Sequence, residues 1–361
     1  MLVEQASRNK AINPTAKVFV YRNIVKALPW YTQVRELLED PSYWGWFVPY
    51  AGCRTSTGYV CRNNVTGQID ASSNLYHDQE QTPGWTGGGN GGPDGVCHND
   101  TKGNTGKGCD CGKGISCGEY LWDHRNGSSL TEWFTKEYIG GQTYGLGNPN
   151  VDGFYLDDNW SDTAPSEESW PISKRGTGAG RGAGLSTAEL KEMQAAWAAN
   201  MAAVQAAIVN YGGFDWQNFE TVRTPTSAQC SSFLRSQCAD NSTAQTSALQ
   251  YDISYQYNKD HSGGHLIDFA MDLAVFLATR GPFSWLGYGW MGCGCGWEYD
   301  GKMPCDIYQR PAELDLDYGT PTGLCKETSS GSGVFVRDWT KATVTVDCNA
   351  YNSTVQFKRE G

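Results

Sequence analysis

Two consecutive carboxylates, Asp157 and Asp158, end the apolar run that begins at Val151. Such a run predicts a buried strand, along which alternation directs one carboxylate inward and the other towards the junction with the following loop. A carboxylate in that position is costly unless a hydrogen bond, an ion or a substrate compensates for its desolvation. The pattern predicts a catalytic or binding pair, and a helix N-cap or a structural salt bridge is the alternative interpretation.

Two further carboxylates follow stretches that read as strands. Asp123 ends the stretch Glu119–Asp123, where it either faces Asp157 across adjacent strands or forms an ion pair with Arg125. Glu220 comes shortly after a strand predicted at residues 212–217. Hydrolysis of a glycosidic bond needs two carboxyl groups, about 5–5.5 Å apart for retention of configuration or about 6.5–9.5 Å apart for inversion. The candidate catalytic residues are therefore Asp157, Asp158, Asp123 and Glu220.

Aromatic residues are frequent, with 14 Trp, 19 Tyr and 12 Phe, and several fall at or near predicted strand ends. Sugar rings stack on aromatic faces while their hydroxyls form hydrogen bonds at the rim. The aromatic candidates for binding a sugar are Trp122, Tyr155, Trp160, Trp216, Trp285 and Trp290. The polar candidates are His124 and Arg125, together with His77 and Asp78 in a loop that either folds over the site or lies in solvent.

Composition narrows the classes of partner. The net charge of −11 argues against a nucleic acid and against tight adhesion to an anionic membrane, and no apolar run reaches the roughly 18 residues of a membrane span. We expect carbohydrate as the partner. No metal centre and no cofactor are expected, although loops rich in Asp and Asn leave calcium open.

Thirteen cysteines, mostly in loops rich in Gly, Asn and Pro, predict disulfide bonds. Zinc ligation by Cys109, Cys111 and Cys117 is the competing interpretation, and the few histidines argue against it. Six N-glycosylation sequons accompany the cysteines, at Asn64, Asn99, Asn126, Asn159, Asn241 and Asn352. Together they predict a secreted, extracellular glycoprotein, although the first residues of this chain do not form a cationic and apolar leader.

Strands alternate with helices along the chain, which indicates βαβ units and a parallel sheet. About seven strands are predicted before the C-terminal region, and the glycine-rich nucleotide turn of a doubly wound sheet is missing. We therefore expect a (β/α)8 barrel as one domain over residues 1–361. A Cys- and Gly-rich insertion is expected at 51–117 and a β-hairpin at 331–357.

Periodicity and capping signals also predict the individual elements. The predicted helices are 2–13, 30–39, 129–138 with Ser128 or Ser129 as its cap, a long helix opened by the capping box Ser186 and Glu189, and 265–279. The predicted strands are 17–22, 44–48 (a strand or barrel edge), 119–123, 151–157, 212–217, 248–257 and 283–288.

Six segments resemble a known group of proteins. They are Lys17–Asn23, Tyr76–Gln81, Tyr120–Gly127, Asp152–Asp158, Arg280–Phe283 and Gly333–Trp339. The chain is similar along nearly its whole length to the largely uncharacterised glycoside-hydrolase-like TIM-barrel proteins of protists, such as algae and oomycete-like organisms. The resemblance implies a TIM barrel in which the strand that ends at Asp157 lies in the active-site cleft. Members of the group carry a further strand with an Asp-Trp pair before the first helix, so we expect the first strand to be missing from this chain.

Two functions remain open from the sequence. The leading hypothesis is a secreted glycoside hydrolase that acts through paired carboxylates. The alternative is a non-catalytic structural or carbohydrate-binding glycoprotein on a degenerate barrel. The sequons at Asn126 and Asn159 motivate the alternative, because a glycan on either would obstruct a cleft beside the candidate residues.

Overall fold

The computed structural model describes most of the chain. The described residues are 2–64, 66–77, 115–116, 118–158, 160, 182–221, 226–240, 242, 247–257, 264–287 and 310–359. Several predicted residues lie outside these ranges, namely Asp78, Trp290, the sequon asparagines Asn99, Asn159 and Asn241, and the proposed zinc ligands Cys109, Cys111 and Cys117. The chain divides into two compact units, Met1–Gly213 and Phe214–Gly361.

The first unit mixes helices with short strands. Its helices are α1 (Leu2–Ile12), α2 (Thr32–Glu39), α3 (Ala71–Asn74), α4 (Ser128–Trp133, continued by a π-helical turn over Phe134–Ile139) and α5 (Thr187–Asn210), with 3₁₀ turns at Pro41–Trp46 and His124–Asn126. Its strands are β1 (Phe19–Asn23), β2 (Lys26–Ala27), β3 (Arg54–Thr55), β4 (Gly58–Tyr59), β5 (Tyr120–Leu121) and β6 (Gly153–Asp157). The predicted capping box opens α5, because the Ser186 hydroxyl accepts from Glu189 N and the Glu189 carboxylate accepts from Ser186 N.

Strands β1 and β6 pair in parallel, from Phe19 opposite Gly153 to Asn23 opposite Asp157. Val20 and Phe154 are buried in a core cluster that also contains Val204 of α5. Side chains alternate across a strand, so Asn23 and Asp157 lie on the face of the strand pair opposite to Val20 and Phe154. This alternation places polar groups together at the carboxyl end of the pair.

The second unit combines parallel and antiparallel strands. Its helices are α6 (Ser227–Gln237) and α7 (Phe269–Thr279), with a 3₁₀ turn at Ala312–Asp315. Its strands are β7 (Phe214–Thr221), β8 (Ser247–Asp252), β9 (Tyr255–Tyr257), β10 (Gly264–Leu266), β11 (Ser284–Gly287), β12 (Lys326–Glu327), β13 (Val334–Asp338), β14 (Ala342–Asp347) and β15 (Asn352–Phe357). Strand β8 pairs in parallel with β7 and β11, β9 pairs with β10, and β12–β15 form an antiparallel sheet in chain order.

Helix α7 is the centre of the second core, and its residues from Met271 to Thr279 are buried. The guanidinium of Arg337 in β13 closes the end of this helix by donating to Arg280 O at 2.7 Å and Ala278 O at 3.2 Å. Its Nε also donates to Gly323 O at 2.9 Å. Burial lowers the pKa of Arg337 to about 10.

Three disulfide bonds confirm the predicted oxidation of cysteines within the described residues. Cys53–Cys61 closes a short loop in the first unit. In the second unit Cys230 of α6 is bonded to Cys348, 118 residues away, and Cys238, directly after α6, is bonded to Cys325, 87 residues away. Both bonds attach this helix to the C-terminal region.

Among the described helices none is both long and apolar enough to cross a membrane.

The mixed α/β class and the parallel strand pairing are confirmed. The described residues do not show a closed eight-stranded barrel, and the barrel therefore remains a prediction. The expected C-terminal hairpin exists as the pair β13 and β14, and the structure extends it on both sides by β12 and β15.

Four local predictions were wrong or incomplete. Residues 44–48 were expected as a strand, but Pro41 starts a 3₁₀ turn that the Asp40 side chain caps. Neither Ser128 nor Ser129 caps α4, because the N-cap position is Gly127.

The predicted strand 248–257 breaks after β8, where Ser254 N donates instead to the Asp272 carboxylate at 2.6 Å. The predicted helix at 265–279 starts only at Phe269, since Asp268 caps Met271 N and residues 264–266 pair with β9.

Candidate active site

The carboxyl ends of β1 and β6 hold a polar cluster around Asp157. Tyr21 donates its phenolic hydrogen to Asp157 Oδ2 at 2.7 Å. The backbone N–H of Asp158 donates to Asp157 Oδ1 at 2.9 Å. Each oxygen of the Asp157 carboxylate thus accepts one hydrogen bond.

Asp158 is held by the turn that follows β1. Its backbone has φ 62°, a left-handed conformation that Asp tolerates better than most side chains. Its Oδ2 accepts from Asn23 Nδ2 at 2.7 Å. The other end of the same amide, Asn23 Oδ1, accepts from the backbone N–H of Val25 at 3.0 Å and of Lys26 at 2.7 Å. Asn23 therefore fixes the chain between β1 and β2 and positions Asp158 at the same time.

Lys26 links Asp158 to a third carboxylate, Glu119. Its Nζ lies 2.9 Å from Glu119 Oε2 and 3.5 Å from Asp158 Oδ2. The pairing of β2 with β5 explains the contact, because Lys26 lies opposite Leu121, two residues after Glu119. The Lys26 side chain is 8 % exposed, against 20 % for Glu119 and 25 % for Asp158. A mostly buried ammonium therefore joins two carboxylates that solvent still reaches.

These contacts limit the separation of the two carboxylates. Both oxygens lie near the same Lys26 nitrogen, so the distance between them is at most the sum of the two ion-pair distances. That limit applies to one oxygen of each carboxylate, and it admits the spacing of about 5–5.5 Å between the carboxyl groups of retaining glycosidases.

Two tyrosines beside the cluster keep their protons. Burial, followed by the charge of Asp157, raises the pKa of Tyr21 far above its ordinary value. Burial raises the pKa of Tyr31 to about 12, with Asp157 contributing and the positive charge of Arg22 opposing the shift. Tyr21 is therefore a neutral hydrogen-bond donor to Asp157.

Asp123 belongs to a different arrangement. Arg125 donates to it with two nitrogens, Nε to Oδ1 at 2.9 Å and Nη2 to Oδ2 at 2.8 Å, which is the ion pair that the sequence left open. The strand before Asp123, β5, pairs with β2, whereas β6 pairs in parallel with β1. The expected adjacency of the strands that carry Asp123 and Asp157 is thus not found among the described strands.

His124 is buried and forms structural hydrogen bonds. Its Nε2 lies 2.8 Å from Ile24 O, and its Nδ1 lies 2.9 Å from Asn200 Nδ2. Burial lowers the pKa of His124 from 6.5 to about 4. A neutral ring with its proton on Nε2 satisfies both contacts, because Nε2 then donates to the carbonyl and Nδ1 accepts from the amide.

His77 is also buried. It therefore lies neither in a solvated loop nor in a loop that folds over an open site, which were the two predictions from the sequence.

Three of the five predicted sugar-binding aromatics within the described ranges are core residues. Trp122 is 0 % exposed and stacks on Phe47, Trp160 is 2 % exposed, and Tyr155 is 5 % exposed beside Tyr21. Trp216, in β7, is partly buried and stacks on Trp285 of β11. Aromatic residues in strands also form the hydrophobic cores of proteins. The presence of an aromatic residue near a strand end was therefore not sufficient to distinguish a sugar-binding residue from a core residue.

Glu220 lies in β7 opposite Tyr251 of β8, in the second unit, and its side chain is outside the described part of the structure. The three sequon asparagines within the described residues, Asn64, Asn126 and Asn352, are exposed. The side-chain amide of Asn126 donates a hydrogen bond to Gly45 O.

In the described ranges no group of three or more His, Cys, Asp or Glu side chains is placed to hold a metal ion.

Sequence reasoning noted Glu119 with Asp123 but did not select it as catalytic, and it missed Tyr21, Asn23 and Lys26. The available signal was Asn23, a polar residue that ends an apolar strand as Asp157 does.

The segment Gly114–Gly118 has the Gly-x-Ser-x-Gly spacing of the nucleophile in serine hydrolases. Strand β5 follows it where a nucleophile elbow needs a helix, and the Ser116 hydroxyl donates to Ser72 Oγ at 2.9 Å.

Comparison with known proteins gives no independent assignment. No family model matches the chain, and no curated protein is similar to it.

Proposed function

We propose that the chain is a secreted, N-glycosylated glycoside hydrolase on a (β/α) barrel, acting on a polysaccharide. One observation carries the proposal: three carboxylates, Asp157, Asp158 and Glu119, converge from two separate segments at the carboxyl ends of paired parallel strands. Active sites of α/β barrels lie at this end of their strands. The disulfide bonds support an oxidising compartment.

In this proposal Asp158 and Glu119 are the reacting pair. The Asp158 carboxylate attacks the anomeric carbon while the Glu119 carboxyl gives its proton to the departing glycosidic oxygen. Water then cleaves the glycosyl ester and returns a proton to Glu119, so the configuration is retained. Asp157, held by Tyr21 and the Asp158 N–H, adds negative charge beside the sugar cation that develops in the transition state.

A second candidate is a non-catalytic carbohydrate-binding glycoprotein, and the contacts of Lys26 favour it. An ammonium 2.9 Å from Glu119 stabilises the ionised carboxylate, whereas a general acid must carry a proton. Under this candidate the ion pairs of Lys26 are structural, and a sugar binds to the cluster without being cleaved.

Isosteric variants distinguish the two candidates. Asp157→Asn, Asp158→Asn and Glu119→Gln are assayed for release of reducing ends from laminarin, xylan, mannan, cellulose and chitin. Under the proposal Asp158→Asn and Glu119→Gln lower kcat/KM by about 10²–10⁴.

Asp152→Asn is the matched control, since Asp152 lies just before the opposite end of β6 and pairs with Lys10. Full activity of both Asp157→Asn and Asp158→Asn ends the hydrolase proposal. Binding of a polysaccharide by the wild type without any release of reducing ends supports the second candidate.

A further inference from the structure

Three neighbouring aromatic rings of the first unit lie partly in solvent. Tyr43 is 37 % exposed, and its ring centroid lies 4.9 Å from that of Trp46. Trp46 is itself partly exposed, and its centroid lies 5.9 Å from that of Trp133, which is also partly exposed. We call these three residues the aromatic strip. Aromatic rings that remain open to water are stabilised when a ligand covers them, so the strip is a surface for a ligand.

The sequon at Asn126 lies beside this strip. The side-chain amide of Asn126 donates to Gly45 O, and Gly45 directly precedes Trp46 in the chain. The indole nitrogen of Trp46 donates to Ser129 Oγ at 3.1 Å, three residues after Asn126. The main chain joins the same two segments, because Asp123 N donates to Trp46 O at 2.8 Å. Main-chain and side-chain hydrogen bonds thus hold the sequon next to Trp46.

The sequon itself is open to solvent. Its three residues, Asn126, Gly127 and Ser128, are all exposed. Gly127 has φ 79°, which glycine adopts without strain, and it separates the 3₁₀ turn that ends at Asn126 from α4. The hydrogen bond to Gly45 O uses one of the two amide hydrogens of Asn126. The second hydrogen can therefore be replaced by a sugar without breaking this hydrogen bond.

We propose that Asn126 carries an N-linked glycan whose first N-acetylglucosamine packs on the indole of Trp46, beside Tyr43. In the transfer, the bond between Asn126 Nδ2 and the sugar C1 forms while the bond from C1 to the pyrophosphate of a lipid-linked oligosaccharide breaks, and the amide loses one proton. The remaining N–H donates to Gly45 O and keeps the sugar close to the indole, where the C–H groups of the pyranose meet the ring. The inference goes beyond the hydrolase and rests on that proposal only for passage through a secretory pathway.

The geometry of the strip favours an attached sugar over a free polysaccharide. The ring planes are tilted by 58° between Tyr43 and Trp46 and by 44° between Trp46 and Trp133, so the rings form no flat platform for a chain of sugars. A sugar that is covalently attached next to Trp46 has a high effective concentration there, so contact with a single indole is enough to hold it.

The first test measures occupancy and coverage on the full chain, secreted from a eukaryotic host. Peptide mass spectrometry measures glycan occupancy at the sequons Asn64, Asn126 and Asn352. Ser128→Ala removes the sequon hydroxyl but keeps the amide of Asn126. Hydroxyl-radical oxidation of Trp46 is then compared between the wild type and Ser128→Ala. We expect Asn126 to be occupied and Trp46 to be oxidised more slowly in the wild type, a readout that needs no substitution of the tryptophan.

The second test measures the energetic coupling between the glycan and the indole. Ser128→Ala should lower the midpoint of thermal unfolding by about 2–4 °C, which is the shift that one stacking contact produces in a unit of this size. In a Trp46→Leu background the same substitution should change the midpoint little. Thr354→Ala is the matched control, because it removes the exposed sequon of Asn352 in β15 of the other unit. Its effect on the midpoint should be the same with and without Trp46→Leu.

The proposal is overturned if Asn126 is bare, if Trp46 is oxidised equally in both proteins, or if Trp46→Leu leaves the effect of Ser128→Ala intact. Its failure is distinct from that of the hydrolase. Hydrolysis that is lost in Asp158→Asn, in a chain whose Asn126 is bare, removes only the glycan contact. A glycan packed on Trp46 in a protein that cleaves no polysaccharide removes only the enzyme, and a secreted chain with every sequon bare removes both the contact and the proposed glycoprotein.

Discussion

Acid should destabilise this protein through His124, at a pH where most carboxylates are still ionised. The imidazole is 3 % exposed, and its two nitrogens are engaged by Ile24 O and the Asn200 amide. Asn200 cannot easily reverse its role, because its Oδ1 accepts from the Thr131 hydroxyl. Protonation of Nδ1 therefore places a second N–H against an amide N–H at a buried position, where the loss of a hydrogen bond is costly.

The size of the effect follows from the pKa of His124, which burial lowers to about 4 from 6.5. The unfolded chain binds the proton more tightly, so the stabilising contribution is complete above the unfolded pKa and is lost as the pH falls towards 4. Between pH 7.5 and pH 5 this linkage lowers the free energy of unfolding by about 2 kcal/mol, and well below pH 4 the loss approaches about 3 kcal/mol.

Urea unfolding at pH 7.5, 6 and 5 measures this loss when wild type is compared with His124→Gln. Glutamine offers both a donor and an acceptor but does not titrate, so the stability difference between the two proteins should shrink by about 2 kcal/mol over this range. His265→Gln, at an exposed position of β10, serves as the control for the loss of a histidine side chain. A difference between wild type and His124→Gln that stays constant from pH 7.5 to pH 5 refutes the reasoning.

Three further perturbations have expected outcomes. Ser186→Ala removes the capping box of α5 and should lower the free energy of unfolding by about 1 kcal/mol in urea titrations, whereas Ser186→Asp should preserve it. Cys230→Ser with Cys348→Ser opens a loop of 118 residues, and the chain-entropy model predicts a loss of up to about 5 kcal/mol, measured as the shift in the midpoint of thermal unfolding. Arg22→Met leaves the carbonyls of Tyr21 and Tyr144 without their donor and should cost about 2 kcal/mol or more; an unchanged urea midpoint would contradict the structural role of this buried guanidinium.

Local signals in the sequence were sufficient where short-range chemistry decides the structure. The Ser186 and Glu189 capping box fixes the start of α5 through bonds within four residues. Strand β6 was predicted from its apolar composition, and its end at Asp157 is correct to the residue. The predictions at residues 44–48 and 265–268 failed because side-chain caps, at Asp40 and Asp268, override the apolar pattern.

The candidate site was only half predictable, because its members meet through strand register. Asp157 and Asp158 were found from their position after an apolar strand. Their partners Asn23 and Lys26 come from the pairing of β1 with β6 and of β2 with β5, which no local pattern specifies. Asp123 and His124 were assigned to the site because they also follow a short strand, yet Arg125 and Asn200 engage them elsewhere.

Arg337 has a consequence for shortened forms of the protein. The carbonyls at the end of α7 receive their donors from β13, which is synthesised after every parallel strand described here. A premature stop codon between β11 and Arg337 would leave all the candidate carboxylates in place but would expose an apolar helix with an open end. Such a product would be a target for quality-control proteolysis, so genetic truncations in this interval are expected to abolish the protein rather than to yield an active fragment.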